Sequence, residues 1–147
     1  MTQEQINQIA KETIKNNIYL TLATSDVRPW ASPVFYCVDS ENNFYFISQM
    51  DSIHTINMLK SGEASFAIFD SHAEEGKGNG IQGYGKVKLL QGSEIIEGLK
   101  TYSTTFIEMT PEMLASPNPY RLFKLTPTEM WTLDIEAKVD KRVKVNI

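Results

Sequence analysis

The sequence has a single cysteine, Cys37, in 147 residues, so no disulfide can close within the chain. That suits a reducing compartment. Histidine is nearly as scarce. His54 and His72 are the only two, and with Cys37 and Glu74-Glu75 they make no metal-ligand spacing. No apolar run approaches the ~20 residues that a membrane-spanning helix needs. The opening MTQEQINQIAKET lacks the apolar stretch of a secretory signal. Basic residues are not in excess: 14 Lys and Arg stand against 18 Asp and Glu, a net charge of −4. That balance gives no electrostatic reason to expect nucleic acid or an anionic membrane as partner. There is no G-x-S-x-G elbow, which removes one family of serine hydrolases. Repeats, low-complexity tracts and interdomain linkers are also missing. The expectation is one cytoplasmic domain spanning residues 1–147.

What is present suits a packed core. Hydrophobic residues make up 41% of the chain, and a domain of this size buries roughly 68–70% of its unfolded surface. Ile6, Ile9, Ala10 and Ile14 recur at helical spacing, ending at Asn16-Asn17. The period then switches to two: Ile18, Leu20 and Leu22 alternate with Tyr19 and Thr21. After a turn at Ser25-Asp26, Trp30 to Val38 reads as a second strand, and Pro33 marks an edge or a bulge in it. A polar hairpin loop leads to a third strand, with Phe44, Phe46 and Ser48 on one face and Tyr45, Ile47 and Gln49 on the other. A helix follows, capped by Asp51 or Ser52, burying Ile53, Ile56, Met58 and Leu59 and ending at Gly62. Ala64 to Phe69 is a strand. In the next, Ile81, Gly83, Gly85, Val87 and Leu89 face inward, the glycines implying close backbone approach. Ile95, Leu99, Tyr102 and Phe106 make a helical stripe with Ser93 as its cap. Thr110-Pro111 opens a short turn of helix. Tyr120 to Asp134 reads as two strands, or one kinked at Pro127, and Val143, Val145 and Ile147 as an edge strand or a loose end. Short strands joined by hairpins, with a few helices, predict a mainly β, α+β fold closed as a compact antiparallel barrel.

Two motifs bear on chemistry. Gly78-x-Gly80-x-x-Gly83 has the letters of a dinucleotide fingerprint, but it precedes a strand, and the fingerprint must follow one and open a helix. It is read as loop and strand-bend glycines. The stretch NFYFISQMDSIHTINMLKSG, residues 43–62, is more informative. A strand there feeds a helix start that gathers Ser48, Ser52, His54 and Thr55. Unpaired amides and the helix dipole make such a corner a candidate anion cradle. An ordinary capped helix with His54 on its surface is the plain alternative.

The order of segments adds a resemblance. LATSDVRPWASPVFYCVDSENNFYFISQMDSIHTINML resembles the pyridoxamine 5′-phosphate oxidase-like family of flavin-binding split barrels, through Ala23-Thr24, Ser32-Pro33-Val34, Ser48 and Ser52-Ile53-His54. GNGIQGYGKV and FKLTPTEMWTLD are similar to its later strands, so the likeness covers roughly residues 5–135. It implies a split antiparallel β-barrel, a homodimer and FMN at the subunit interface. It further implies phosphate contacts at Ser48, Ser52 and His54, with Ile53 lending its backbone. Ser32 and Val34 would line the isoalloxazine and Ile47 flank it, with Gln82 and Trp131 as further contacts from the partner subunit. The implied activity is that of an FMN-dependent oxidoreductase on a small-molecule substrate, with a nicotinamide donor as one option. A non-catalytic flavin-binding or sensing module on the same barrel is the rival, and heme or a deazaflavin the other ligands such barrels take. Two departures stand out. The family's Arg-Lys pair after the serine is Ile53-His54 here, and KVDKRVKVNI has no Arg-x-His substrate segment. Vitamin B6 phosphate is therefore not the expected substrate.

Overall fold

The computed structural model describes residues 1–76, 78–102 and 108–147. Helix α1 (Gln3–Asn16) opens the chain behind a capping box in which Thr2 and Gln5 satisfy each other's backbone N–H. The strands are β1 (Tyr19–Ser25), β2 (Pro29–Phe35), β3 (Cys37–Val38) and β4 (Phe44–Gln49), followed by helix α2 (Ile53–Ser61). Then come β5 (Glu63–Phe69), β6 (Gly80–Leu89), helix α3 (Ser93–Thr101), a 3-10 turn at Pro111–Leu114, β7 (Tyr120–Leu133) and β8 (Arg142–Val145). All pairings are antiparallel, in the order β2-β1-β5-β6-β7-β4-β3, with β8 added to β7.

That order explains the shape. Only Tyr36 separates β2 from β3, yet they lie at opposite ends of the sheet. The sheet must therefore curl until its two ends meet in one stretch of chain. Phe44, Phe46, Phe66, Phe123, Leu20 and Leu22 fill the inside. Helix α1 covers one end, tied down by the Tyr36 hydroxyl donating to the Ile14 carbonyl at 2.5 Å. Helix α2 packs over β1 and β2 near the other end. Outside β4 and β7, α3 and the 3-10 turn enclose a second cluster of Tyr45, Leu90, Ile95, Tyr102, Leu114 and Leu122.

Several expectations are refined. The cap of α3 is Gly92, at φ +55°, and Ser93 is its first helical residue. Phe106, expected on that helix's stripe, lies outside the described residues. Pro127 does not split β7. The accommodation falls across the ladder, where the register shifts between Tyr84 and Gly85 so that Tyr84 faces Glu129 and Gly85 faces Pro127. The glycines do allow close approach: a Cβ at Gly85 would lie 2.2 Å from the Thr126 carbonyl oxygen. Helix α2 buries Thr55, Asn57 and Met58, while Ile56 and Leu59 are 42% and 47% exposed. The polar Asn57 is drawn inward because its amide donates to buried Thr24 Oγ1 at 3.1 Å, which rotates the apolar pair toward solvent.

Candidate functional site

The strand–helix corner is a connected polar cluster. Ser48 ends the inner row of β4 and is 5% exposed. Its Oγ is hydrogen-bonded to His54 Nε2 at 2.8 Å. Ser52 Oγ lies 3.3 Å from the same nitrogen, 2.8 Å from Thr55 Oγ1 and 2.9 Å from the Gln49 carbonyl oxygen. The turn is closed by Ser52 N–H donating to the Gln49 carbonyl and by Met50 N–H donating to the Pro119 carbonyl. Burial pushes the His54 imidazole below its usual range, so at neutral pH it is an uncharged hydrogen-bonding group.

Ser52 is the N-cap of α2, but its hydroxyl turns back to Gln49 and Thr55 and makes no cap hydrogen bond. The first-turn amides of Ile53, His54 and Thr55 have no acceptor within the helix. Helix α1 solves the same problem with its capping box. Among the described residues no hydrogen bond engages these amides, which stand at the positive end of the helix dipole.

A second feature adjoins it. β2 pairs with β1 alone, and Phe46–Gln49 of β4 pair with β7 alone, among the described residues. Each strand so leaves one edge of backbone N–H and C=O groups unpaired. Continued past Tyr36, the β3–β4 register would set Val34 opposite Ser48 and Phe35 opposite Ile47, but neither pair forms. Instead the Tyr36 N–H donates to the Ile18 carbonyl, and the segment crosses to β1. The barrel is thus split between β2 and β4, at the end where α2 begins.

The sequence-derived candidates divide into three groups. Ser48, Ser52, Ile53 and His54 come together at the α2 corner. Ser32 and Val34 lie across the split on the inner face of β2, as their cross-strand partners Leu22 and Leu20 show, and Ser32 Oγ accepts from Trp30 Nε1 at 3.1 Å. Ile47 borders the split on the opposite face from Ser48, packed against the second cluster. Gln82 and Trp131 are brought opposite each other, but on the outer face of β6 and β7, with Tyr84 stacked on the indole at 6.2 Å. They do not join the corner within one chain. The sequence left two positions unplaced: Arg28, and the Thr24–Asn57 pair. Arg28 lines a hollow beside Ile53 and lies over the Trp30 ring, 5.5 Å from its centroid. Lys77 lies outside the described residues. His72 is exposed, and no three-residue grouping of His, Cys, Asp and Glu among the described residues could hold a metal.

Solved structures with this architecture are numerous and distant in sequence. The chain superposes on the protein Atu2129 of Agrobacterium tumefaciens with a TM-score of 0.74 at 15% identity, covering 95% of this chain and 60% of that one. HutZ, the heme storage protein from Vibrio cholerae, matches with 0.68 at 16% identity over 85% of this chain and 92% of that one. An FAD binding protein from Mycobacterium smegmatis matches with 0.61 at 10% identity over 99% and 98%. At such identities the likeness shows a shared fold. No curated protein matches in sequence. The family model of pyridoxamine 5′-phosphate oxidase, however, matches residues 6–134, nearly the whole barrel, and the chain belongs to that family.

Proposed function

We propose that the chain is a flavoprotein that holds the FMN part of a flavin in the split, and that it is an oxidoreductase on a small molecule other than vitamin B6 phosphate. The observation that carries this reading is the uncapped α2 terminus at the end of two facing, unpaired strand edges. The first suits a phosphate. The second suits a planar ring with a polar rim, which can take main-chain hydrogen bonds that the barrel leaves unused. Ser48, Ser52, His54 and the Ile53 amide would hold the phosphate, and Ser32, Val34 and Ile47 would border the ring. The flavin supplies the hydride or electron chemistry, and the protein supplies orientation and electrostatics. The family and an FAD-binding relative of the same fold support a flavin. Heme-binding relatives share the fold too, but here His72 stands on an exposed loop and His54 is engaged by Ser48.

The reading includes a homodimer. Across the outer face run two rows, Ala31–Ala23–Ser65–Tyr84 and Pro33–Thr21–Ala67–Gln82–Trp131, with no charge until Glu129 and Lys144, which pair at 2.7 Å. A smooth uncharged face of this kind marks an interaction surface. Covering it with a second copy would bring Gln82 and Trp131 into an interface, where the family places its flavins.

The test is the visible spectrum of freshly purified protein and a titration of the colourless form with FMN. Flavin bands, released on denaturation, are the expected result. Protein that is colourless and ignores added flavin ends the reading. If flavin binds but no nicotinamide or dye couple turns over, the chain is the non-catalytic module.

A further inference from the structure

The turn from β4 into α2 has hydroxyls, amides and an uncharged imidazole, and neither Ile53 nor His54 brings a fixed charge to it. Its carboxylate, Asp51, is exposed and adds a negative charge to the rim. A phosphomonoester carries about −1.5 to −2 charges at neutral pH. A phosphate held there needs a cation from elsewhere in the fold.

Strand β7 brings one. Arg121 is the direct cross-strand partner of Ser48, next on the inner row after the stacked rings of Phe46 and Phe123. Side chains opposite each other on one face stand about 4.5–5.5 Å apart at Cβ, within the length of an arginine. The guanidinium is fixed through one of its nitrogens. Nη1 donates to the carbonyls of Asn118 and Tyr120. Between them, the Pro119 carbonyl accepts the Met50 N–H of the corner. The turn and the guanidinium are thus anchored on the same three residues. Nε and Nη2 have no hydrogen-bond partner among the described residues, and no carboxylate among them pairs with Arg121. An arginine held only by neutral carbonyls keeps its charge and its remaining donors for a ligand's phosphate oxygens. The other basic side chain near the corner, Arg28, stands on an exposed turn and lies over the Trp30 ring. Arg121 is partly buried, so solvent ions screen it less.

We propose that Arg121 is the phosphate-binding cation of this site, supplied by β7 beside Ser48 because the corner's own residues offer none. This rests on the flavin reading above. It adds a specificity residue from outside the corner's stretch of sequence, one that separates a phosphorylated flavin from an unphosphorylated one.

The experiment is titration of flavin-free protein with FMN and with riboflavin, which lacks the phosphate, followed by flavin fluorescence, for the wild type, Arg121→Gln and Arg28→Gln. Arg121→Gln should lose at least about tenfold in FMN affinity, the scale of one charge-assisted contact, and nothing toward riboflavin. Arg28→Gln should match the wild type for both. Arg121 also holds the chain that leads into β7, so labelling of the unaltered protein gives a second reading. Phenylglyoxal modification of Arg121, followed by mass spectrometry, should be blocked by FMN and not by riboflavin. Unchanged FMN affinity in Arg121→Gln, an equal loss of both flavins, or labelling that FMN does not slow overturns the assignment and leaves the flavin site standing. An FMN-selective loss in Arg28→Gln alone overturns it too, by moving the charge to the turn between β1 and β2. Wild-type protein that binds neither flavin ends the flavin reading and this assignment with it.

Discussion

The sheet depends on a point where two backbones nearly touch, and adding one methyl group there tests the register of the outer face. In Gly85→Ala the new Cβ would meet Thr126 O at 2.2 Å and Pro127 Cα at 2.8 Å. Carbon atoms pack at about 3.5–4.0 Å, so β6 and β7 would have to separate by roughly 1 Å. Both obstacles are backbone, so no rotamer change relieves them. Overpacking costs about 1–3 kcal/mol, and each ladder bond lost beside the bulge adds about 1 kcal/mol. The reduced freedom of the unfolded chain returns about 0.4–1 kcal/mol. With one such bond lost, a net loss of about 1–4 kcal/mol follows. At roughly 2–4 °C per kcal/mol for a chain near this size, the melting temperature falls on the order of 10 °C. Gly78→Ala is the control, since its Cβ would meet nothing closer than 3.4 Å. Urea unfolding followed by circular dichroism measures both. A Gly85→Ala protein within about 0.5 kcal/mol of wild type would refute the packing argument.

Other consequences can be measured separately. His54→Ala should weaken flavin binding, and Ser52→Ala should weaken it less, because the imidazole bonds to Ser48 at 2.8 Å while Ser52 stands 3.3 Å away; equal, unchanged affinities in a titration would place the phosphate elsewhere. His54 also predicts a pH dependence: with burial pushing the folded-state value below that of a free imidazole, its stabilising contribution is complete above about pH 6.5 and is lost as the pH falls through the folded value. Urea midpoints between pH 7 and 5 should therefore decline more steeply for the wild type than for His54→Gln, and parallel curves would count against a buried neutral imidazole. Ala23→Glu, which puts a carboxylate into the uncharged outer rows, should give a monomer by sedimentation while changing monomer stability by no more than about 0.5 kcal/mol; an unchanged dimer would mean that another face pairs. Lys60→Ala breaks an exposed pair with Asp26 and should cost no more than about 1 kcal/mol.

The pattern of residues disclosed the strands more reliably than the contacts between them. Alternation at Leu20-Leu22 and at Phe44-Phe46-Ser48 named the correct inner faces, because a strand with one buried face has only one acceptable register. Helix α2 was harder. Its apolar residues Ile53, Ile56, Met58 and Leu59 suggested a buried side, and Met58 is buried, but a hydrogen bond between Asn57 and Thr24, 33 residues apart, turns polar Asn57 inward beside it and leaves Ile56 and Leu59 exposed. Periodicity counts apolar residues and is blind to a distant buried partner. The corner at Ser48 to Thr55 was visible as a cluster of hydroxyls, yet its charge was not: whether His54 is a cation depends on how deeply the fold buries it. Nor could spacing reveal that Gln82 and Trp131 share an outer face, or that Arg28 stands next to Ile53, since both facts arise from turns and pairings across the sheet.

The split raises a question that stability alone does not answer. Only Tyr36 interrupts the run from Pro29 to Val38, and continuing the β3–β4 ladder by a few residues would close the barrel. Closure would satisfy two rows of backbone groups that now have none of their usual partners. The inner rows also change character at this end of the split. On β4 the sequence Phe44, Phe46, Ser48 passes from ring to hydroxyl, and on β2 Val34 gives way to Ser32, although both strands face the same apolar interior. A core built only to pack would keep apolar side chains in both positions; here each hydroxyl is matched by a polar partner instead, His54 for Ser48 and Trp30 for Ser32. Open edges between these banks and an uncapped helix at their end are each unfavourable in isolation. One occupant with a polar-rimmed ring and a phosphate would satisfy both, which is why the split reads as a site and not as a flaw in the barrel.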